Sequence, residues 1–194
     1  MGLNLIPEDI LDNYQVFEWH HATSILYCDF PNEFNEIIKV LREFKLKKSD
    51  ILTNGGRKSP IAESIDSKFY NLGWEEKWFN VNIQVDNESV YIPTHGVDCY
   101  KNGIGLELEW NNKDPFFDRD LNNFRLLFDL GTISVGVIIT RCSELQDIFK
   151  SLGKGSSYGT STTHMNKLIP RVQSNGGGGC PILIFGISPK LYQE

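Results

Sequence analysis

The chain has 194 residues, 40% hydrophobic and 23% charged, which suits one folded domain (residues 1–194) with a substantial apolar core and excludes a disordered polymer. No run approaches the roughly 18 apolar residues of a membrane span. The opening MGLNLIPEDILDNY carries acids where a secretion signal carries positive charge, so a soluble cytoplasmic protein with no membrane partner is expected. The net charge of −6 argues at first sight against a polyanion as partner. The distribution answers it: Lys39 to Lys58 holds seven basic residues against two acids, and Ile148 to Gln193 holds none but basic charges (Lys150, Lys154, Lys167, Arg171, Lys190). Four scattered cysteines without a CxxC pair indicate neither a zinc site nor a disulfide framework.

In chain order, Pro31 to Phe44 places Phe34, Ile37, Ile38, Leu41 and Phe44 at helical spacing. The stretch 49–58 reads as a loop. A helix follows through about Tyr70, with Ser59 as N-cap, Pro60 at the first position and Gly73 beyond its end. Phe79 to Val85 alternates like a half-buried strand in a hairpin. Gly103 to Trp110 alternates again, with Glu107 and Glu109 on one face. Asp118 to Leu130 has the spacing of a helix, and Ile133 to Thr140 is a β-branched run that predicts a strand covered on both faces. Ser143 to Ser151 reads as a helix, 153–163 as a Gly/Ser/Thr-rich loop, Thr163 to Gln173 as a short helix and Pro181 to Ile187 as a buried strand. Strands alternating with helices predict an α/β domain.

The informative segment runs from Val97 to Trp110. An acid at a strand start, Asp98, is followed by a turn and by a strand bearing Glu107-Leu108-Glu109, which brings three carboxylates to one point. Hard oxygen donors converging this way suit Mg²⁺, which keeps waters for phosphate oxygens. The strand precedes a helix and a fully buried strand, so it is expected to be central, where idle acids are rare.

This segment resembles the PD-(D/E)XK restriction endonucleases, in particular the BglII/BstYI group and more distantly BamHI. That family sets a metal-binding acid on one strand of a hairpin and E-x-K, E-x-Q or E-x-E on the next, matched here by Asp98, Glu107 and Glu109. The resemblance implies a central mixed β-sheet flanked by helices and Mg²⁺-dependent cleavage of a short palindromic site in double-stranded DNA, with GATC at its centre. With Glu109 where many members carry lysine, that carboxylate would orient or deprotonate the attacking water. Glu63, on the preceding helix, is a further candidate metal ligand.

For DNA contact the candidates are Arg57 and Lys58, Lys113 and Arg119 just beyond the E-x-E strand, and Ser157, Tyr158, Thr160, Ser161, Thr162 and His164 in an acid-free loop. His20, His21 and His95 show no trusted ligand spacing and read as structural. A palindromic site implies a homodimer, with the helix Asp118 to Leu130 as the interface element because Phe124 and Phe128 exceed what a half-exposed helix needs. Two other classes remain: a nucleotide phosphohydrolase, against which no Gly-rich phosphate cradle precedes a helix, and a non-catalytic DNA-binding module, in which converging acids would repel phosphate.

Overall fold

The structure, a computed structural model, describes residues 2–53 and 58–194. Its helices are α1 (Glu8–Asn13), α2 (Ala22–Asp29), α3 (Pro31–Glu43), α4 (Lys48–Leu52), α5 (Pro60–Asn71), α6 (Phe116–Asp129), α7 (Leu145–Ser151) and α8 (Met165–Gln173). The strands are β1 (Tyr14–Trp19), β2 (Leu46–Lys47), β3 (Glu75–Lys77), β4 (Val81–Val85), β5 (Glu88–Ile92), β6 (Val97–Lys101), β7 (Ile104–Leu108), β8 (Val135–Arg141), β9 (Ile182–Ile187) and β10 (Tyr192–Gln193). A mixed sheet runs β1-β9-β8-β7-β6-β3, with β7, β8 and β9 parallel and the outer pairs antiparallel. This is the α/β architecture expected, a central mixed sheet between helices.

The two faces follow from the alternation of the strands. Leu106, Leu108, Val137, Ile139 and Phe185 pack with Ile37 and Leu41 of α3, Ile65 and Phe69 of α5, and Phe149 of α7. On the other face Ile138, Ile182 and Ile184 pack with Leu121 and Phe124 of α6 and Leu168 and Val172 of α8. The expected helix starts hold at α5, where Ser59 Oγ accepts from the Ala62 amide at 3.1 Å, and Gly73 closes the helix with φ +85°. Lys101 Nζ, at 2.7 Å from both Glu36 Oε1 and the Leu72 carbonyl oxygen, ties β6 to α3 and to the end of α5.

Three expectations change. The loop expected over 49–58 opens with α4, while residues 54–57 lie outside the described residues. The strand at 79–85 forms a separate two-stranded hairpin, β4 with β5, and is mostly exposed rather than half-buried. Phe124 is fully buried, and Phe128 packs against the same core, so the apolar residues that marked α6 as an interface face inward. The reason is a pair of glycines: Phe124 lies over Gly105 of β7 and Gly136 of β8, and a Cβ added at Gly136 would collide with its ring. Gly136→Ala is therefore expected to cost roughly 1–3 kcal/mol by overpacking, lowering the melting temperature by several degrees in a thermal scan. An unchanged melting point would show that the ring yields freely.

Candidate active site

The site begins at a tight turn. Asn102 and Gly103 both take positive φ (+47° and +84°), the requirement of a two-residue hairpin whose twist matches its strands. The register then pairs Lys101 with Ile104, Tyr100 with Gly105 and Cys99 with Leu106. One step further, side chains replace the ladder: the Leu108 amide donates to Asp98 Oδ2 at 3.0 Å and the Asp98 amide to Glu107 Oε2 at 3.4 Å. Val97 and Cys99, two residues apart, pack into opposite cores, so the backbone of β6 rotates at Asp98.

Strand β7 lies between β6 and β8, central as its sequence implied. Its alternation turns Gly105, Glu107 and Glu109 toward α6, and both glutamates are 1% exposed. The Glu109 amide extends the parallel ladder by donating to the Ile139 carbonyl at 2.9 Å. Asn112 Nδ2 donates to Glu109 Oε2 at 2.8 Å, and Arg119 Nη2 stands 3.5 Å from Glu109 Oε1.

Helix α6 adds a carboxylate that sequence reasoning missed. Asp120 is fully buried, and its Oδ1 accepts from Arg119 Nε at 3.0 Å and Nη2 at 2.9 Å. His95, read from sequence as structural, places Nε2 3.1 Å from Asp120 Oδ1 and 3.4 Å from Glu107 Oε1. A signal for Asp120 was present: it sits among Phe117, Leu121 and Phe124 in the apolar stripe of α6.

Burial dominates the electrostatics. It pushes Glu109 up to about 9, assisted by the charge of Asp120. Glu107 rises well above the usual carboxylate range from burial, then from Asp120 and Asp98, and Asp98 is raised by burial against the pull of the Leu108 amide. Glu107 Oε1 and Asp120 Oδ2 are buried and accept no hydrogen bond among the described residues. Clustered buried oxygens that outnumber the positive charge beside them could hold a hard divalent cation, Glu107 among the donors.

The remaining expected residues spread around this row. Glu63 is 69% exposed at its side chain, 3.9 Å from Lys58, and is not gathered with the other acids. The buried acid of α5 is instead Asp66, one turn on, 2.6 Å from Lys58 Nζ and pushed up to about 6 by burial. Lys58, Asp66, Tyr70, Asp98, Asn112 and Ser157 line a cleft of about 650 Å³. Arg119 is held against Asp120 and Glu109 as well as being partly exposed, and Lys113 is exposed. In the 156–164 loop, Ser157, Thr160 and Ser161 face outward. Tyr158 and Thr162 correct the sequence-based list by turning inward: Tyr158 stacks on Phe149 at 4.0 Å, and Thr162 Oγ1 accepts from the buried Arg141 at 2.8 Å. His164 is half-buried beside Ser143 Oγ at 3.1 Å, and burial lowers it to about 4. Arg57 lies outside the described residues.

The loop is fastened to the segment that follows β7. The Thr163 amide donates to the Asn112 carbonyl at 2.9 Å, the Asp114 amide to the Ser161 carbonyl at 3.0 Å, and Thr163 Oγ1 to the Glu109 carbonyl at 3.2 Å. A family model described as restriction endonuclease BglII/BglIII matches residues 14–187. No curated protein matches the chain.

Proposed function

The chain belongs to the BglII/BglIII restriction endonuclease family, and from that premise we propose that Asp98, Glu107 and Glu109 carry out Mg²⁺-dependent hydrolysis of phosphodiester bonds at a short palindromic site in double-stranded DNA. Membership makes it a site-specific deoxyribonuclease, a hydrolase, which sets aside the phosphohydrolase and the non-catalytic module. The observation that carries the finer reading is the buried row of carboxylates with unsatisfied oxygens beside a cleft edged by Lys58.

Asp98 and Glu107 would hold the cation. Bound there, Mg²⁺ supplies a Lewis acid that polarises the phosphate and acidifies a water. Glu109 supplies the proton-handling group: Asn112 holds one of its oxygens and Arg119 stands by the other, which fixes its aim. Protonated near neutral pH in the metal-free protein, it is drawn toward its ionised form by any added positive charge. Lys58, at the edge of the cleft, Lys113 and the outward hydroxyls of Ser157, Thr160 and Ser161 would meet phosphates or base edges.

Two related active sites are required to cut both strands of a palindrome, so the working form is a homodimer, acting in the cytoplasm. No helix among the described residues is long and apolar enough to cross a membrane. Incubation with plasmid DNA is expected to yield discrete fragments in Mg²⁺ and none in chelator, with end mapping giving a palindrome containing GATC. Retardation without cutting in Mg²⁺ would overturn the mechanism. Sedimentation of a monomer, both free and on cleavable DNA, would overturn the dimer.

A further inference from the structure

We propose that His95, Glu107 and Asp120 form a second cation site, one that takes a divalent transition-metal ion such as Mn²⁺, Co²⁺ or Zn²⁺ through an imidazole nitrogen. The inference rests on the reading that Asp98 and Glu107 bind a divalent ion, since Glu107 is shared.

Geometry carries it. One donor atom from each of the three residues lies within 4.8 Å of the others, and His95 Nε2 stands 3.1 Å from Asp120 Oδ1 and 3.4 Å from Glu107 Oε1. Transition ions hold nitrogen and oxygen donors at about 2.0–2.1 Å, which sets adjacent donors about 3.0 Å apart in an octahedron and about 3.4 Å in a tetrahedron. The two distances from His95 Nε2 fall in that interval.

Hydrogen bonding supplies an independent observation. His95 Nε2 and Glu107 Oε1 converge without hydrogen-bonding one another or any other group among the described residues, and Asp120 Oδ2 is equally unpartnered. Glu107 and Asp120 are 1% and 0% exposed, so water does not satisfy these oxygens from outside. Asp120 Oδ1, the oxygen 3.1 Å from His95 Nε2, also accepts from Arg119 Nε and Nη2, whereas Oδ2 accepts no hydrogen bond among the described residues and is the oxygen open to an ion.

The site has the support and access that ligands need. Asn123 Nδ2 reaches the His95 carbonyl at 3.5 Å and steadies the segment entering β6. A shallow cleft of about 280 Å³, lined by Pro93, Thr94, His95, Arg119 and Asn123 among others, opens beside the imidazole. Imidazole beside carboxylates favours transition ions over Mg²⁺, which prefers oxygen donors alone.

The test uses the full chain and Mn²⁺ alone, without DNA. Electron spin echo modulation of protein-bound Mn²⁺ is expected to show a histidine nitrogen, and calorimetry to find a second, weaker or stronger Mn²⁺ event that Mg²⁺ does not produce. His95→Gln, whose side chain is only partly buried, should abolish the nitrogen signal and weaken that event at least tenfold with an unchanged melting curve. Asp120→Asn should weaken the same event, whereas Asp98→Asn should retain the nitrogen signal. A wild-type spectrum without histidine nitrogen, or one that persists in His95→Gln, overturns the site. Plasmid cutting in Mg²⁺ together with such a spectrum removes this inference alone; a histidine signal without any cutting removes the nuclease mechanism alone.

Discussion

Asp98→Asn is expected to abolish DNA cleavage while leaving metal-free DNA binding equal or tighter. The substitution keeps an oxygen to accept the Leu108 amide, now at 3.0 Å, so the turn of β6 into β7 has no reason to unfold. It removes the negative charge that Asp98 contributes beside Glu107. Forfeiting a cation-activated nucleophile is worth several kcal/mol, and a loss of at least about 10³-fold in rate corresponds to about 4 kcal/mol. One fewer carboxylate near the phosphates weakens repulsion, so a gel shift in chelator should show equal or higher affinity. Full cleavage in Mg²⁺ by the folded variant would remove Asp98 from the site and the hairpin assignment with it.

Glu107→Gln is expected to act in opposite directions on activity and on stability. Cleavage should be lost with the ligand, yet the metal-free variant should melt higher than wild type at pH 8, by about 2–4 °C for each 1 kcal/mol gained. The sign follows from burial. A carboxylate raised above its unfolded value binds its proton more tightly when folded, so its stabilising share is complete at low pH and drains away as pH rises toward the folded value. For Glu109 that window runs from 4.5 to about 9, and Glu107 is raised for the same reason. Metal-free wild type should therefore lose stability as pH rises above the ordinary carboxylate range more steeply than Glu107→Gln. Mg²⁺ should raise the melting temperature of wild type and leave the variant unmoved. A variant that melts lower than wild type in chelator at pH 8 would show that the buried charge is compensated.

The parts of this molecule written in strong local patterns were legible from sequence. Helices α3, α5 and α6 carry apolar stripes with end signals, β8 is apolar through Ile139, and β9 is an unbroken apolar run, as suits strands buried on both faces. Asp98, Glu107 and Glu109 could be picked out as candidates because they lie on and next to one hairpin, β6 with β7. Asp120 and His95 were not, because only the return of α6 across the sheet and the loop ahead of β6 bring them to Glu107. Strand β1 escaped because its alternation is interrupted by a buried acid: Glu18 accepts the Gly2 amide at 2.7 Å and the Thr23 amide at 3.1 Å, closing the start of α2. Strand β3, three residues long, exists only through pairing with β6. Tyr158 and Thr162 looked like loop polar groups, but the Tyr158 ring stacks on Phe149, and Arg141, a cation buried at the end of β8, donates to the Tyr158 carbonyl and the Thr162 hydroxyl.

The fastening of the 156–164 loop to the Glu109 backbone couples the position of the loop to that of the buried carboxylates. Thr163 grips the backbone at the Asn112 carbonyl and the Glu109 carbonyl, so under the proposed assignment a duplex that pushed the loop aside would pull on the backbone that aims Glu109. On the proposed roles a mismatched sequence would be penalised in turnover after it had been held, with fidelity enforced at the moment of chemistry rather than at the door.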